Sequence, residues 1–125
     1  MITTKNDIKI HKSCETMCIN VSAFNDKSMI GSATCSTING TIWYFNRLFV
    51  FPNFRKKFYG SMLLDELLSI VKEKNIILQL DINPYGEMTY EQLEDFYIRH
   101  GFVKKMINDK IFGEYYTYFY NAFIN

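Results

Sequence analysis

The stretch Val50-Phe51-Pro52-Asn53-Phe54-Arg55-Lys56-Lys57-Phe58-Tyr59-Gly60-Ser61-Met62-Leu63-Leu64 decides the fold. Apolar residues run up to Pro52, a basic cluster follows, and an amphipathic pattern opens at Gly60. A strand that turns and feeds a helix in this way reads as the first half of a β-α-β unit. The turn also has the chemistry of an anion site. The first N–H groups of a helix have no partner inside it, and the aligned peptide dipoles place about half a positive charge there. Arg55, Lys56 and Lys57 add three full charges at the same end. Cations oppose the dipole there, so a purely structural turn would sooner carry Asp or Glu. The small pair Gly60-Ser61 lets an anion approach the backbone.

From Tyr59 to Lys74 the residues Leu63, Leu64, Leu67, Leu68 and Val71 recur at spacings of three and four, with Met62 and Ile70 beside them. This predicts a helix with one buried face. Lys72 and Lys74 suit its negative end, and Asn75 can close it. Ile76 to Ile82 is too short for a second helix and reads as a buried strand, parallel to the one before the turn. Upstream, residues from about 7 to 51 read as strands. Met17–Phe24, Met29–Ile38 and Thr41–Phe51 are separated by a turn at Asn25–Ser28 and by Asn39-Gly40, the preferred pair of a two-residue type I′ hairpin.

Downstream, Asn83 to Met88 is a loop, and Thr89-x-x-Gln92 is a capping box that opens a short helix. Tyr90, Leu93, Phe96 and Tyr97 share one face of it. Gly101 stops the helix in the left-handed region, with Phe102 placed for the accompanying apolar contact. Val103–Met106 and Phe112–Tyr120 form a last hairpin around Asn108-Asp109-Lys110. The fold class is α/β (α+β): a mixed sheet built as an antiparallel meander, a β-α-β unit and a C-terminal hairpin, in the order β-β-β-α-β-α-β-β. Residues 1–125 form a single domain.

The basic turn and the helix end Phe96-Tyr97-Ile98-Arg99-His100-Gly101-Phe102 together resemble the GNAT N-acetyltransferase family. Its members grip the pyrophosphate of acetyl-coenzyme A with an Arg/Gln-x-x-Gly-x-Gly/Ala loop, and a Leu-Tyr-x-x-x-Gly-Phe-like helix end supplies a tyrosine facing the thiol. The resemblance spans roughly residues 40 to 106 by motif and the rest by element order. It implies acetyl-coenzyme A as co-substrate, no metal, and direct transfer to an amine within a ternary complex. It places Leu48, Phe49 and Val50 along the pantetheine arm. Arg55, Lys56, Lys57, Phe58, Tyr59, Gly60 and Ser61 would hold the pyrophosphate. Tyr97 would be the acid that protonates the departing thiolate, since a phenol of pKa ~10 stays protonated at neutral pH. Phe58 departs from the pattern, standing where the family has its first Gly.

Short phage-type members share the segment that reads here Pro84-Tyr85-Gly86-Glu87-Met88-Thr89-Tyr90-Glu91-Gln92-Leu93-Glu94-Asp95-Phe96-Tyr97. That kinship implies a macromolecular acceptor, such as a lysine of a host protein, and a location in the host cytoplasm. A small-molecule amine is the other class of acceptor. Many members carry a Glu on the strand before the loop, but Thr41 to Arg47 holds no carboxylate, which leaves the general base unassigned. The alternative is a catalytically weak or inactive module on the same fold that acts by binding a host protein.

Bulk properties narrow the field. A net charge of +1 over 125 residues gives no broad positive face for nucleic acid or an anionic membrane. No apolar run reaches the ~18 residues of a membrane span, and the first residues lack a signal-peptide core. Cys14, Cys18 and Cys35 are an odd set without disulfide or zinc spacing, which fits a reducing cytoplasm and thiols buried in strands. With 48% apolar and 17% aromatic residues the chain can build its core without staples. Its Ile, Asn, Lys, Tyr and Phe bias suits an AT-rich genome such as a phage's. His100, in the last turn of its helix, reads as a structural cation. Oligomeric state stays open.

Overall fold

The computed structural model describes residues 8–26, 28–55, 58–84 and 87–121. Four strands come first: β1 (Ile8–Cys14), β2 (Cys18–Asn25), β3 (Ser28–Thr37) and β4 (Ile42–Val50). A short 3-10 turn at Pro52–Phe54 leads to α1 (Tyr59–Glu73). Then follow β5 (Ile77–Leu80), α2 (Tyr90–Arg99), β6 (Val103–Asp109) and β7 (Gly113–Tyr120). The strands make one seven-stranded mixed sheet in the order β1-β2-β3-β4-β5-β7-β6. β4 and β5 run parallel, joined by α1, and the other neighbours are antiparallel. This is the mixed sheet with meander, β-α-β unit and terminal hairpin that the sequence predicts.

Two expectations need correction. The meander has four strands, because Ile8–Cys14 pairs with β2 from Ile8↔Asn25 to Cys14↔Ile19. This edge strand alternates only from Ile8 to His11, and Lys12–Cys14 are all exposed, so its period is too short to mark a half-buried strand clearly. The β3–β4 connection is also not a type I′ turn. Only Gly40 has positive φ, at 78°, whereas that turn needs it at both central residues. Asn39 acts through its side chain instead, Oδ1 accepting from the Thr41 N–H at 2.9 Å. Thr37 Oγ1 accepts from the Gly40 N–H at 2.9 Å and donates to the Ile42 carbonyl at 2.8 Å. Side-chain bonds do here what a tight backbone turn would do elsewhere.

The predicted stripe of α1 is the centre of the core. Leu63, Leu64, Leu67 and Val71 are 0% exposed and Leu68 3%, and the helix packs on β2, β3 and β4. Each such side chain contributes about 1.5–3 kcal/mol on burial. An exposed ion pair such as Lys12–Glu66 at 2.9 Å contributes at most about 1 kcal/mol, so the stripe decides how α1 sits. Asn75 closes the helix at φ 58°.

Both ends of α2 form as the sequence predicts. Thr89 Oγ1 accepts from the Gln92 N–H at 3.2 Å, and Gln92 Oε1 accepts from the Thr89 N–H at 2.9 Å. At the other end Gly101 has φ 105°. Its N–H donates to the Ile98 carbonyl at 3.0 Å and the Phe102 N–H donates to the Tyr97 carbonyl at 3.1 Å. These are the two bonds of a Schellman stop, and the Tyr97 and Phe102 rings meet edge to face at 5.6 Å.

Candidate active site

β4 and β5 are paired at three positions only, Ile42↔Ile77, Trp43↔Leu78 and Tyr44↔Gln79. Beyond them the strands part. On its other side β4 shifts register against β3 between Thr34↔Arg47 and Cys35↔Phe45, which leaves Asn46 as the extra residue of a bulge. Bulges bend their strand and increase its twist, and this one lies where β4 leaves β5. Asn46 Nδ2 donates to Ser36 Oγ at 2.7 Å, fixing the bend. From Phe45 to Val50, β4 therefore has β3 on one side and, among the described residues, no strand on the other. Leu48, Phe49 and Val50 lie along this unpaired edge.

The basic turn stands at the far end of that edge. Arg55 Nε donates to the Val50 carbonyl at 2.8 Å, and its guanidinium lies 5.7 Å from the Phe49 ring centroid. Arg47 approaches the same ring at 4.7 Å. Gly60 sits beside Val50: a Cβ built on it would lie 3.9 Å from Val50 Cγ2. Lys56 and Lys57 lie outside the described residues. The first helical bond of α1 here runs from the Met62 N–H to the Phe58 carbonyl at 3.0 Å, so the N–H groups of Tyr59, Gly60 and Ser61, which have no partner among the described residues, are the orphan donors of the helix start. The cap carries no side-chain hydrogen bond, and its first turn holds no acidic residue.

Phe58 is the N-cap of α1 with φ 66° and ψ 7°, in the left-handed region. The position thus holds a positive φ that Gly would adopt freely, and Phe fills it at a cost of about 1–2 kcal/mol. Its side chain is 86% exposed, so no packing offsets that strain. Phe58→Gly is expected to stabilise the fold by about 0.5–1 kcal/mol, after the extra chain entropy of Gly is subtracted. Thermal melting checks it: a lower Tm for the Gly variant would show that the Phe ring is used.

Tyr97 stands at the fork itself. It is 7% exposed and its ring meets Phe45 at 5.7 Å and Phe96 at 5.2 Å. The sequence-predicted residues thus divide into two groups. Leu48, Phe49, Val50, Arg55, Phe58, Tyr59, Gly60 and Ser61 cluster where β4 enters α1, and Tyr97 lies at the opposite end of the exposed edge.

A contact the sequence does not announce joins the two helices. His100 Nδ1 is 2.8 Å from Asp65 Oδ1, and its Nε2 is 3.2 Å from Ser61 Oγ. His100 is therefore more than a helix-end cation, because it ties the end of α2 to the first turns of α1. The partners lie 39 and 35 residues away in the chain, out of reach of local pattern reading.

Glu94 and Asp81 are engaged elsewhere. Glu94 Oε2 accepts from the Tyr118 hydroxyl and lies 3.0 Å from Lys104 Nζ, while the Tyr118 and Tyr90 hydroxyls are 2.6 Å apart. The Tyr118 hydrogen bond, with Lys104 behind it, lowers the Glu94 pKa, which suits a structural anion better than a base. Burial, then Glu94, drives the Tyr118 phenol far upward. Asp81, just after β5, accepts from Thr117 Oγ1 at 2.6 Å. The cysteines are free thiols, and Cys14 is exposed, contrary to the expectation of burial, because β1 is an edge strand. Cys35 is buried and pushed up to about 12, which leaves it inert at neutral pH. No cluster of metal-binding side chains occurs among the described residues, nor a helix long and apolar enough to cross a membrane.

Residues 18–104 match the acetyltransferase (GNAT) domain family. The match covers more than half of the chain, and the chain belongs to that family, an acyltransferase by class. No curated protein matches it in sequence. Among solved structures it is similar to a GNAT acetyltransferase of Elizabethkingia anophelis with acetyl-coenzyme A bound, at 15% identity and a TM-score of 0.65, over 93% of this chain and 99% of that one. It is similar at 22% identity and a TM-score of 0.63 to a GNAT-family protein of Desulfovibrio desulfuricans, over 83% and 68%. The PaiA N-acetyltransferase of Thermoplasma acidophilum, in complex with coenzyme A, is 24% identical with a TM-score of 0.58, over 83% and 60%. The present chain thus spans less than two thirds of the Thermoplasma protein. At these identities the likeness is one of fold.

Proposed function

We propose that this protein transfers the acetyl group of acetyl-coenzyme A directly to an amine within a ternary complex. The observation that carries the reading is the fork: β4 leaves β5 after Tyr44, Tyr97 packs at its apex, and the orphan N–H groups of α1 stand at its far end. Roughly 16 Å of strand separates Phe45 from Val50, a span suited to a long flexible arm that bonds the free β4 edge. Coenzyme A and acetyl-coenzyme A occupy the Thermoplasma and Elizabethkingia proteins of the same fold.

The amine nitrogen attacks the thioester carbonyl, the C–S bond breaks, and the Tyr97 hydroxyl passes its proton to the departing sulfur. A lysine-type acceptor of pKa ~10.4 must first lose a proton, which costs about 4.6 kcal/mol at pH 7. The acceptor is a protein lysine, and the kinship of the Pro84–Tyr97 segment with short phage-type members makes a host protein in the host cytoplasm the substrate to try first.

Arg55→Ala, Lys56→Ala and Lys57→Ala together test the coenzyme site. A well-formed charge-assisted bond contributes about 1.5–3 kcal/mol, so Arg55→Ala alone should raise the coenzyme Kd by about 10- to 150-fold, and the triple change by more, with a weaker salt dependence. Equal affinities for wild type and triple variant in calorimetric titration would remove the loop from the site. A second reading, a module that holds coenzyme without turnover, is favoured by the absence of any carboxylate from Trp43 to Val50. Coenzyme binding with no acetylation across polyamine, aminoglycoside and lysine-peptide acceptors would select it.

A further inference from the structure

The geometry points to His100 as a positioning residue that takes up a proton when the coenzyme binds, so that Ser61 can donate its hydroxyl proton to the pyrophosphate. The inference rests on the proposed pyrophosphate site at the start of α1. Hydrogen-bond direction carries it. Asp65 is an acceptor when ionised, and its Oδ1 lies 2.8 Å from His100 Nδ1, so Nδ1 must hold a proton and donate. In a neutral imidazole the other nitrogen, Nε2, is then a bare acceptor. Ser61 Oγ, 3.2 Å away, can satisfy it only by donating its single proton. Without coenzyme, therefore, the Ser61 hydroxyl proton is committed to His100.

A pyrophosphate oxygen arriving there offers only acceptors. If Ser61 turns its proton to that oxygen, its own oxygen faces Nε2 with a lone pair, and two acceptors meet. A proton drawn from solvent onto Nε2 resolves the clash. His100 then donates to both Asp65 and Ser61, Ser61 donates to the phosphate, and a full positive charge stands behind the site. The reverse tautomer, with Nε2 protonated and Nδ1 bare, would press a lone pair against the Asp65 carboxylate. The charged group in contact with His100 among the described residues is Asp65 on α1; on its own helix Asp95 and Arg99 pair with each other at 3.0 Å, so their charges offset one another. The Phe96 ring lies against the imidazole at 4.7 Å.

Linkage gives the sign. A proton taken up on binding makes affinity highest at low pH, and wherever the imidazole of the free protein is neutral Kd should rise with pH by up to tenfold per unit. The probe is 3′-dephospho-coenzyme A, which lacks the 3′-phosphate that would itself titrate near pH ~6. Its binding is measured by calorimetry at pH ~8 in two buffers of different ionisation enthalpy. Wild type is expected to take up close to one proton per coenzyme, and His100→Gln and Ser61→Ala none. The imidazole resonances of the wild-type protein, which has two histidines, give a second reading that needs no variant: those of His100 should move to the imidazolium position when coenzyme is added. Binding without proton uptake, uptake unchanged in His100→Gln, or unshifted imidazole resonances would overturn the role of His100 and leave the coenzyme site standing. Absence of binding by the wild type would overturn the site itself, and this inference with it.

Discussion

Tyr97→Phe is expected to lower turnover by ~10²–10⁴-fold, the usual reach of a positioned general acid, with coenzyme affinity and fold nearly unchanged. The substitution removes one oxygen. The ring contacts with Phe45, Phe96 and Phe102, at 5.7, 5.2 and 5.6 Å, persist in the Phe variant. So do the bonds from the His100 and Phe102 N–H groups to the Tyr97 carbonyl, both 3.1 Å, which close α2. If the phenol protonates the departing sulfur, as proposed above, it does so only as the C–S bond breaks and a thiolate forms. The interaction belongs mainly to the transition state, so kcat and kcat/KM should fall together. Steady-state kinetics with any accepted amine, beside a melting curve, separates this from a packing role. A variant that melts early but keeps its specific activity would make Tyr97 a core residue whose hydroxyl holds the fold.

How much of this was legible in the sequence follows from the range over which each cue acts. The change of period at Pro52, the Thr89–Gln92 box and the Gly101 stop are rules that act within a turn or two of chain, and each appears in the structure where the residues put it. That Phe58 stands where the family has Gly was equally visible, but its positive φ of 66° is known only from the structure. The Asn39-Gly40 turn misled because the same Asn can bend the chain through its side chain as well as its backbone. β1 was not separated as a strand of its own because its alternation lasts only from Ile8 to His11 and the rest of it lies in solvent. The Asn46 bulge depends on the pairing of β4 with β3, and the bridge from Ser61 through His100 to Asp65 depends on how two helices end against each other. Both are tertiary facts. The cationic turn at the start of α1 was thus legible from its own residues, whereas the His100 that contacts Ser61 comes from a distant helix.

Gly31→Ala should be the most damaging small substitution in the sheet, because it acts on the strand that leads into the basic turn. Gly31 faces Val50 across the β3–β4 ladder. A Cβ added there would meet the Phe49 carbonyl oxygen in severe overlap and come within 2.9 Å of Val50 Cα. These are backbone atoms and cannot rotate aside as a side-chain tip would. The ladder next to it, closed by the Phe51 N–H donating to the Ile30 carbonyl at 2.9 Å, must open or shift. Overpacking of this kind costs about 1–3 kcal/mol, occasionally more, and each kcal/mol lowers Tm by about 3–5 °C at this chain length. The consequence for function is larger than the stability loss suggests. Val50 carries the carbonyl that holds Arg55 and the side chain beside Gly60, so a displaced Val50 moves the guanidinium and the start of α1 together. Coenzyme Kd should therefore rise even in the fraction that stays folded. Calorimetric titration well below the variant's Tm tests this. A Gly31→Ala protein that melts lower but binds coenzyme as tightly as wild type would mean that the end of β4 can shift without carrying the loop, and that α1 rather than β4 sets the position of the phosphate site.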